Sequence, residues 1–220
     1  MSISDLIPVS LELAILEYQR DKTFEAMLFN LDTGFIASYV PRAKERGEYY
    51  KVIDEFCLFY LYWLHPHRGR RVVPNQWLQQ TQKPTYHVWS GYAFEAVCHK
   101  HSAQIIHALN IKTVENISNW RLVIRQQKAE GAQIDLLIDR SDNAITLCEI
   151  KYTDQPFLIN KQYAENLMKK VEVFRKTTGT KKQIFLAMIA ATRIKPNKYS
   201  QSLITSIVTL DALFQAPNDS

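Results

Sequence analysis

Apolar positions along the chain change rhythm from one region to the next. From residue 6 to 31 they recur at helical spacing, with Leu13, Leu16, Phe24, Met27, Leu28 and Leu31 available for a buried face. The second helix this predicts stops near Asp32-Thr33-Gly34, where glycine can take the left-handed closing position. Two β-type runs, 35–40 and 48–53, predict a small hairpin across the charged loop between them. Asp54 then stands as the cap of an aromatic-rich helix running to Leu64. The stretch His65-Pro66-His67-Arg68-Gly69-Arg70-Arg71 breaks the pattern with proline, glycine and charge. It divides the chain into a unit over 1–64, a linker over 65–88 and a domain over 89–220.

From Ser90 a helical pattern resumes and continues to about Leu109. Phe94, Val97, His101 and Ile105 form its apolar stripe, and Glu95 shares a neighbouring face with Cys98 and Ser102. A strand is predicted near 122–126. Two apolar β-type runs follow, 131–139 and 145–151, joined by the turn-forming Arg140-Ser141-Asp142-Asn143. Then come a helix over about 160–177, a strand over 183–190 and a further pair of elements ending at Phe214. The order is helix, three strands, helix, strand, helix. It predicts an α/β (α+β) sandwich in which helices flank a mixed central sheet.

The hairpin carries the chemistry. A loop of four or five residues places Asp135 opposite position 148 or 149, so two carboxylates, Asp135 and Glu149, face each other across the sheet and repel. Glu149 and Lys151 are two apart and leave the same face of their strand. An acidic pair beside an ammonium suits a divalent metal acting on a phosphodiester. Mg²⁺ (or Mn²⁺) accepts one or two protein carboxylates, here Asp135 and Glu149, and leaves its other positions to water and phosphate. Lys151 then orients the attacking water or stabilises developing negative charge. Glu95 either completes the cluster through a metal-bound water or holds Lys151. A solvated hairpin with an ordinary same-face ion pair, worth about 1 kcal/mol or less, is the plain alternative.

Composition sharpens the choice of partner. The 220 residues are 46% hydrophobic and 22% charged, with a net charge of +5. Between 160 and 200 stand ten cations and only two acids, Glu165 and Glu172. That imbalance beside a carboxylate hairpin favours a polyanion such as DNA. Lys161, Lys169, Lys170 and Arg175, on the helix after the second hairpin strand, are the expected contacts. Tyr163 on the same helix either positions a phosphate or packs. Cys57, Cys98 and Cys148 form no C-x-x-C pair and read as free thiols of a reducing cytoplasm. No secretion signal is apparent, and no apolar run approaches the ~20 residues of a membrane span. His65 and His67 lack the neighbouring cysteine or third histidine that a metal cluster needs.

Taken together, Gly91-Tyr92-Ala93-Phe94-Glu95, Ile134-Asp135 and Glu149-Ile150-Lys151 resemble the signature of the PD-(D/E)xK nuclease superfamily, with isoleucine where its name has proline. Thr33-Gly34-Phe35-Ile36 and the stretches 50–60, 89–95 and 131–138 are similar to the C-terminal half of a family of prokaryotic AAA+ ATPases. There an ATPase core precedes a winged helix and a nuclease-like domain. The resemblance implies a four-stranded core sheet flanked by helices and a site at Glu95, Asp135, Glu149 and Lys151. Helix, hairpin, helix over 1–64 matches the closing half of a winged helix, whose complete form needs a three-helix core. None of the six glycines belongs to a phosphate loop of the G-x-x-x-x-G-K-[ST] type. The chain is therefore expected to be a piece of a longer protein, or a stand-alone relative that has lost its motor, with a separate or missing AAA+ ATPase core as a further partner to consider. Two functions follow: metal-dependent hydrolysis of DNA, or an inactive nucleic-acid-binding or protein-interaction module on the same fold.

Overall fold

The computed structural model describes residues 36–39, 49–52, 54–71, 73–122 and 131–215. The helices expected over 6–31, and most of the strand expected over 122–126, lie outside these. The chain forms two compact units that divide between Lys83 and Pro84.

In the first unit, β1 (Ile36–Tyr39) and β2 (Tyr49–Val52) pair antiparallel, Ile36 with Val52 and Tyr39 with Tyr49. Helix α1 (Glu55–Phe59) starts where expected. Its cap, Asp54, accepts the Cys57 N–H at 2.7 Å, satisfying one of the donors that a helix start leaves open. The helix loosens into a π-type turn over Tyr60–Leu64 and a 3₁₀ turn over His65–His67. The stretch expected to link the units also contains α2 (Gln76–Thr81), whose Trp77 meets Phe59 and Trp63 edge-on at 5.1 and 5.5 Å.

The second unit opens with α3 (Pro84–Lys100), which starts six residues before the expected Ser90, with proline in the first position that tolerates it best. The single helix expected to reach Leu109 is interrupted at His101 (φ −100°, ψ 28°), and α4 (Ser102–Ala108) follows. Five strands form one sheet in the order β3 (Asn116–Leu122), β4 (Ala132–Asp139), β5 (Ala144–Lys151), β6 (Gln183–Ala190) and β7 (Ser206–Thr209). The first three are antiparallel, and β6 and β7 join parallel. Helices α5 (Lys161–Thr178) and α6 (Lys198–Leu203) connect the parallel strands. The sheet is mixed and flanked by helices, as expected, but it has five strands where four were implied. The addition is the short β7.

Helices cover both faces. Phe94, Cys98 and Ile105 of α3 and α4 pack on Leu136, Ile138, Cys148 and Ile150. Leu167 of α5 packs on Met188, and Phe174 on Leu137 and Leu147, on the other face. Trp120 meets Phe174 edge-to-face at 5.3 Å. Strands buried on both sides read as continuous apolar runs, which is why β4 shows no alternation over Ile134–Ile138. Where the chain enters β4, a side chain on Gly131 would put its first carbon 2.8 Å from the Leu122 carbonyl oxygen, so only glycine fits without movement.

Candidate active site

The hairpin turn fixes the register. Asn143 takes a left-handed conformation (φ 59°), and the Arg140 N–H bonds the Ala144 carbonyl at 3.0 Å. From there the strands pair regularly, Asp139 with Ile145 through Leu136 with Cys148. One step further, the same register sets Asp135 beside Glu149, the second of the two expected positions.

The pairing does not continue there. Opposite β3, the register slips: Ser118 pairs with Leu137 but Trp120 pairs with Ile134. Two steps on β3 thus match three on β4, so β4 bulges at Asp135-Leu136. As a result Ile134 and Leu137 both join the α5 side of the core, whereas Leu136 packs on the α3 side. The bulge turns Asp135 out of the regular alternation. Its Oδ2 accepts the Ile150 N–H at 2.9 Å, and the Gln133 side-chain amide donates to Oδ1 at 3.4 Å. Only 8% of Asp135 is exposed. Burial first, and the Glu149 charge second, push its carboxyl up to about 6 against the pull of the Ile150 N–H.

Glu149 points to α5. Asn160 accepts the Tyr163 N–H at 2.8 Å and starts the helix; Gly179 (φ 65°) ends it. Tyr163 and Lys170 are two helical turns apart and share its inner side. The Tyr163 hydroxyl donates to Glu149 Oε1 at 3.0 Å, and Lys170 Nζ donates to Oε2 at 2.6 Å. Burial and the Glu149 charge hold the Tyr163 phenol well above its usual range, so it stays a donor. Lys151 leaves the same face of β5 and lies over two rings, 5.4 Å from the Phe157 centroid and 5.6 Å from that of Tyr163. No carboxylate among the described residues pairs with it.

Glu95 approaches from α3, which packs against β5. No hydrogen bond or ion pair reaches its carboxylate from the described residues. Burial, then Asp135, then Glu149 push it up to about 8, while Lys170 and, less, Lys151 pull it down. Glu95, Asp135 and Glu149 are therefore one interacting group. The sequence reading placed all three, together with Lys151, and the structure brings all four to the end of β5 nearest α5.

Two residues of α5 make contacts that the sequence did not show. Lys170, grouped with the DNA contacts, turns inward because it falls on the arc of α5 that buries Ala164, Leu167 and Phe174. It acts on Asp135 and Glu95 as well, ahead of Lys151. Tyr163 both packs, edge-on to Phe157 at 4.9 Å, and hydrogen-bonds. Lys161, Lys169 and Arg175 do lie exposed along α5; Lys161 faces Glu165 at 3.8 Å.

The donor set is all carboxylate oxygen, which suits a hard cation. Among the described residues no three His, Cys, Asp or Glu side chains come together closely enough to hold a metal ion. The fit is thus of the two-carboxylate kind, Asp135 and Glu149, which Mg²⁺ accepts because it keeps several waters. Of the four oxygens of that pair, Asp135 Oδ1, with its one long contact, is the most available. No helix among the described residues is long and apolar enough to cross a membrane. No family model, curated protein or solved structure matches the chain.

Proposed function

We propose that this chain hydrolyses phosphodiester bonds of DNA with a divalent cation, Mg²⁺ or Mn²⁺, on a nuclease-like fold of the PD-(D/E)xK kind. The observation that carries this reading is the interacting group of Glu95, Asp135 and Glu149 with Lys151 and Lys170 beside it. Perturbed, partly buried acids grouped with cations mark chemistry more often than structure.

Asp135 and Glu149, fixed in place by the Ile150 N–H and the Tyr163 hydroxyl, would hold the cation. When bound, such an ion lowers the pKa of a bound water and polarises a phosphoryl oxygen. Lys151, paired with no carboxylate and held over Phe157 and Tyr163, presents its ammonium to the attacked phosphate. Burial beside Asp135 and Glu149 raises Glu95 to about 8 while the site is empty, so it offers a donor there that an ordinary glutamate lacks. The exposed Lys161, Lys169 and Arg175 bind backbone phosphates as a salt-dependent, sequence-independent surface. Free Cys57, Cys98 and Cys148 fit a reducing, cytoplasmic setting.

A second reading rests on a different observation. Lys170 already neutralises Glu149, which suits a module that binds nucleic acid, or an AAA+ ATPase partner, without turnover. Plasmid and single-stranded DNA incubated with Mg²⁺, Mn²⁺ or EDTA separate the two. Metal-dependent cutting that disappears in Asp135→Ala and Lys151→Ala supports the nuclease. Salt-dependent binding that never leads to cutting supports the module. Cutting that survives in both variants removes these residues from the site.

A further inference from the structure

Glu149 is only 12% exposed at its side chain, yet both of its oxygens are occupied by α5. The two donors differ in kind. Tyr163 brings a neutral hydroxyl that leaves lone pairs for another partner. Lys170 brings a full positive charge to 2.6 Å, the position that a cation bonded to Oε2 would need. A hard divalent ion binds carboxylate oxygen at about 2.0–2.6 Å, so it and an ammonium at that distance would stand close enough to repel strongly. Tyr163 can stay; Lys170 cannot.

The helix allows such a departure. Lys170 is 30% exposed, at the edge of the buried arc of α5, and carries a long flexible stem. Lys169, next to it, lies on the exposed side that also bears Lys161 and Arg175. A Lys170 ammonium released from Glu149 therefore needs only a rotamer change to reach solvent. We propose that Lys170 is the resident counter-ion of the site, displaced from Glu149 by the incoming divalent cation and so setting the affinity for it. This rests on the metal-site reading above and deepens it. Lys170 is a positioning residue: it holds Glu149 ready while the site is empty and opposes the metal until the metal wins.

The test is Mn²⁺ binding to the full chain, followed by loss of the free-ion electron paramagnetic resonance signal at fixed pH and ionic strength. Wild type, Lys170→Met, Lys170→Gln, Lys170→Arg and Asp135→Asn are compared, with near-ultraviolet circular dichroism confirming that each is folded. Removing a competitor that occupies the site most of the time raises apparent affinity, so Lys170→Met and Lys170→Gln should bind Mn²⁺ about tenfold more tightly. Lys170→Arg, with its planar fork, should hold Glu149 at least as firmly and gain nothing. Folded Met and Gln variants that bind no better than wild type overturn the displacement and leave the metal site intact. Absence of Mn²⁺ uptake by wild type, Met and Gln variants alike, or equal uptake by Asp135→Asn, overturns the metal-site reading itself and this inference with it.

Discussion

Two ends of the same sheet handle carboxylates in opposite ways. At the turn end, Lys182 donates to Asp139 Oδ1 at 2.7 Å, Glu115 Oε2 at 2.9 Å and the Arg140 carbonyl at 2.9 Å. An ammonium has three protons, and here each has an acceptor. The hydrogen bonds to Asp139 and Glu115 raise the Lys182 pKa, so its charge is secure. At the other end of β5, Glu95, Asp135 and Glu149 share their surroundings with two lysines, of which one reaches a carboxylate and one lies on aromatic rings. Two of those acids are driven up to about 8 and about 6. The same residue types at two ends of one sheet thus give a settled charge cluster at one end and an unsettled one at the other. Charges arranged for stability are matched by partners; charges arranged for chemistry leave room for what they will bind.

Substitution separates the ends most sharply through activity. Asp135→Asn or Glu149→Gln should lower metal-dependent DNA cutting by about a thousandfold, whereas Asp139→Asn at the turn end should leave it unchanged. Equal losses from all three would mean that the ends do not differ in function.

Stability provides the next contrast. An acid whose pKa is raised in the folded state stabilises the fold fully below its ordinary value, 4.5 for Glu95, and loses that contribution as pH rises through about 8. The wild type should therefore weaken across that window. Glu95→Gln should be more stable than wild type by on the order of 2 kcal/mol at pH 9 and little different at pH 5, by chemical denaturation. A variant less stable at pH 9 would show that Glu95 is satisfied. The smallest effect is expected at the matched end: Lys182→Met should lower the denaturation midpoint slightly, less so at high salt, without touching DNA cutting.

Much of this arrangement was legible in the sequence, for identifiable reasons. Helix α5 and strand β6 run almost as expected because Asn160, Gly179 and a clean apolar run mark their ends. Asp135 and Glu149 came together because hairpin pairing converts spacing into position. Strand β3 begins at Asn116, before the start expected from the sequence, since its polar residues Asn116, Ser118 and Asn119 mask a pattern that Trp120 and Leu122 only complete at the end. Strand β7, only four residues long and separated from α6 by Ile204 and Thr205, has too little pattern to read. The bulge at Asp135 was invisible because β4 is apolar on both faces, so an extra residue leaves no break in alternation. Lys170 carried a signal that was available: Ala164, Leu167 and Phe174 define the inner arc of α5, and position 170 falls within it. A lysine at the edge of that arc is half-buried, and here it meets the Glu149 carboxylate. The break at His101 has no cause we can identify.

The contrast between the two ends comes down to where the protons are. Carbon-13 detected NMR of side-chain carboxyls, labelled in Asp and Glu and titrated from pH 4 to 10, reads them directly. Glu95 should titrate near 8 and Asp135 near 6, with both midpoints falling when Mg²⁺ is added. Midpoints for both in the ordinary carboxylate range, unmoved by Mg²⁺, would contradict the account.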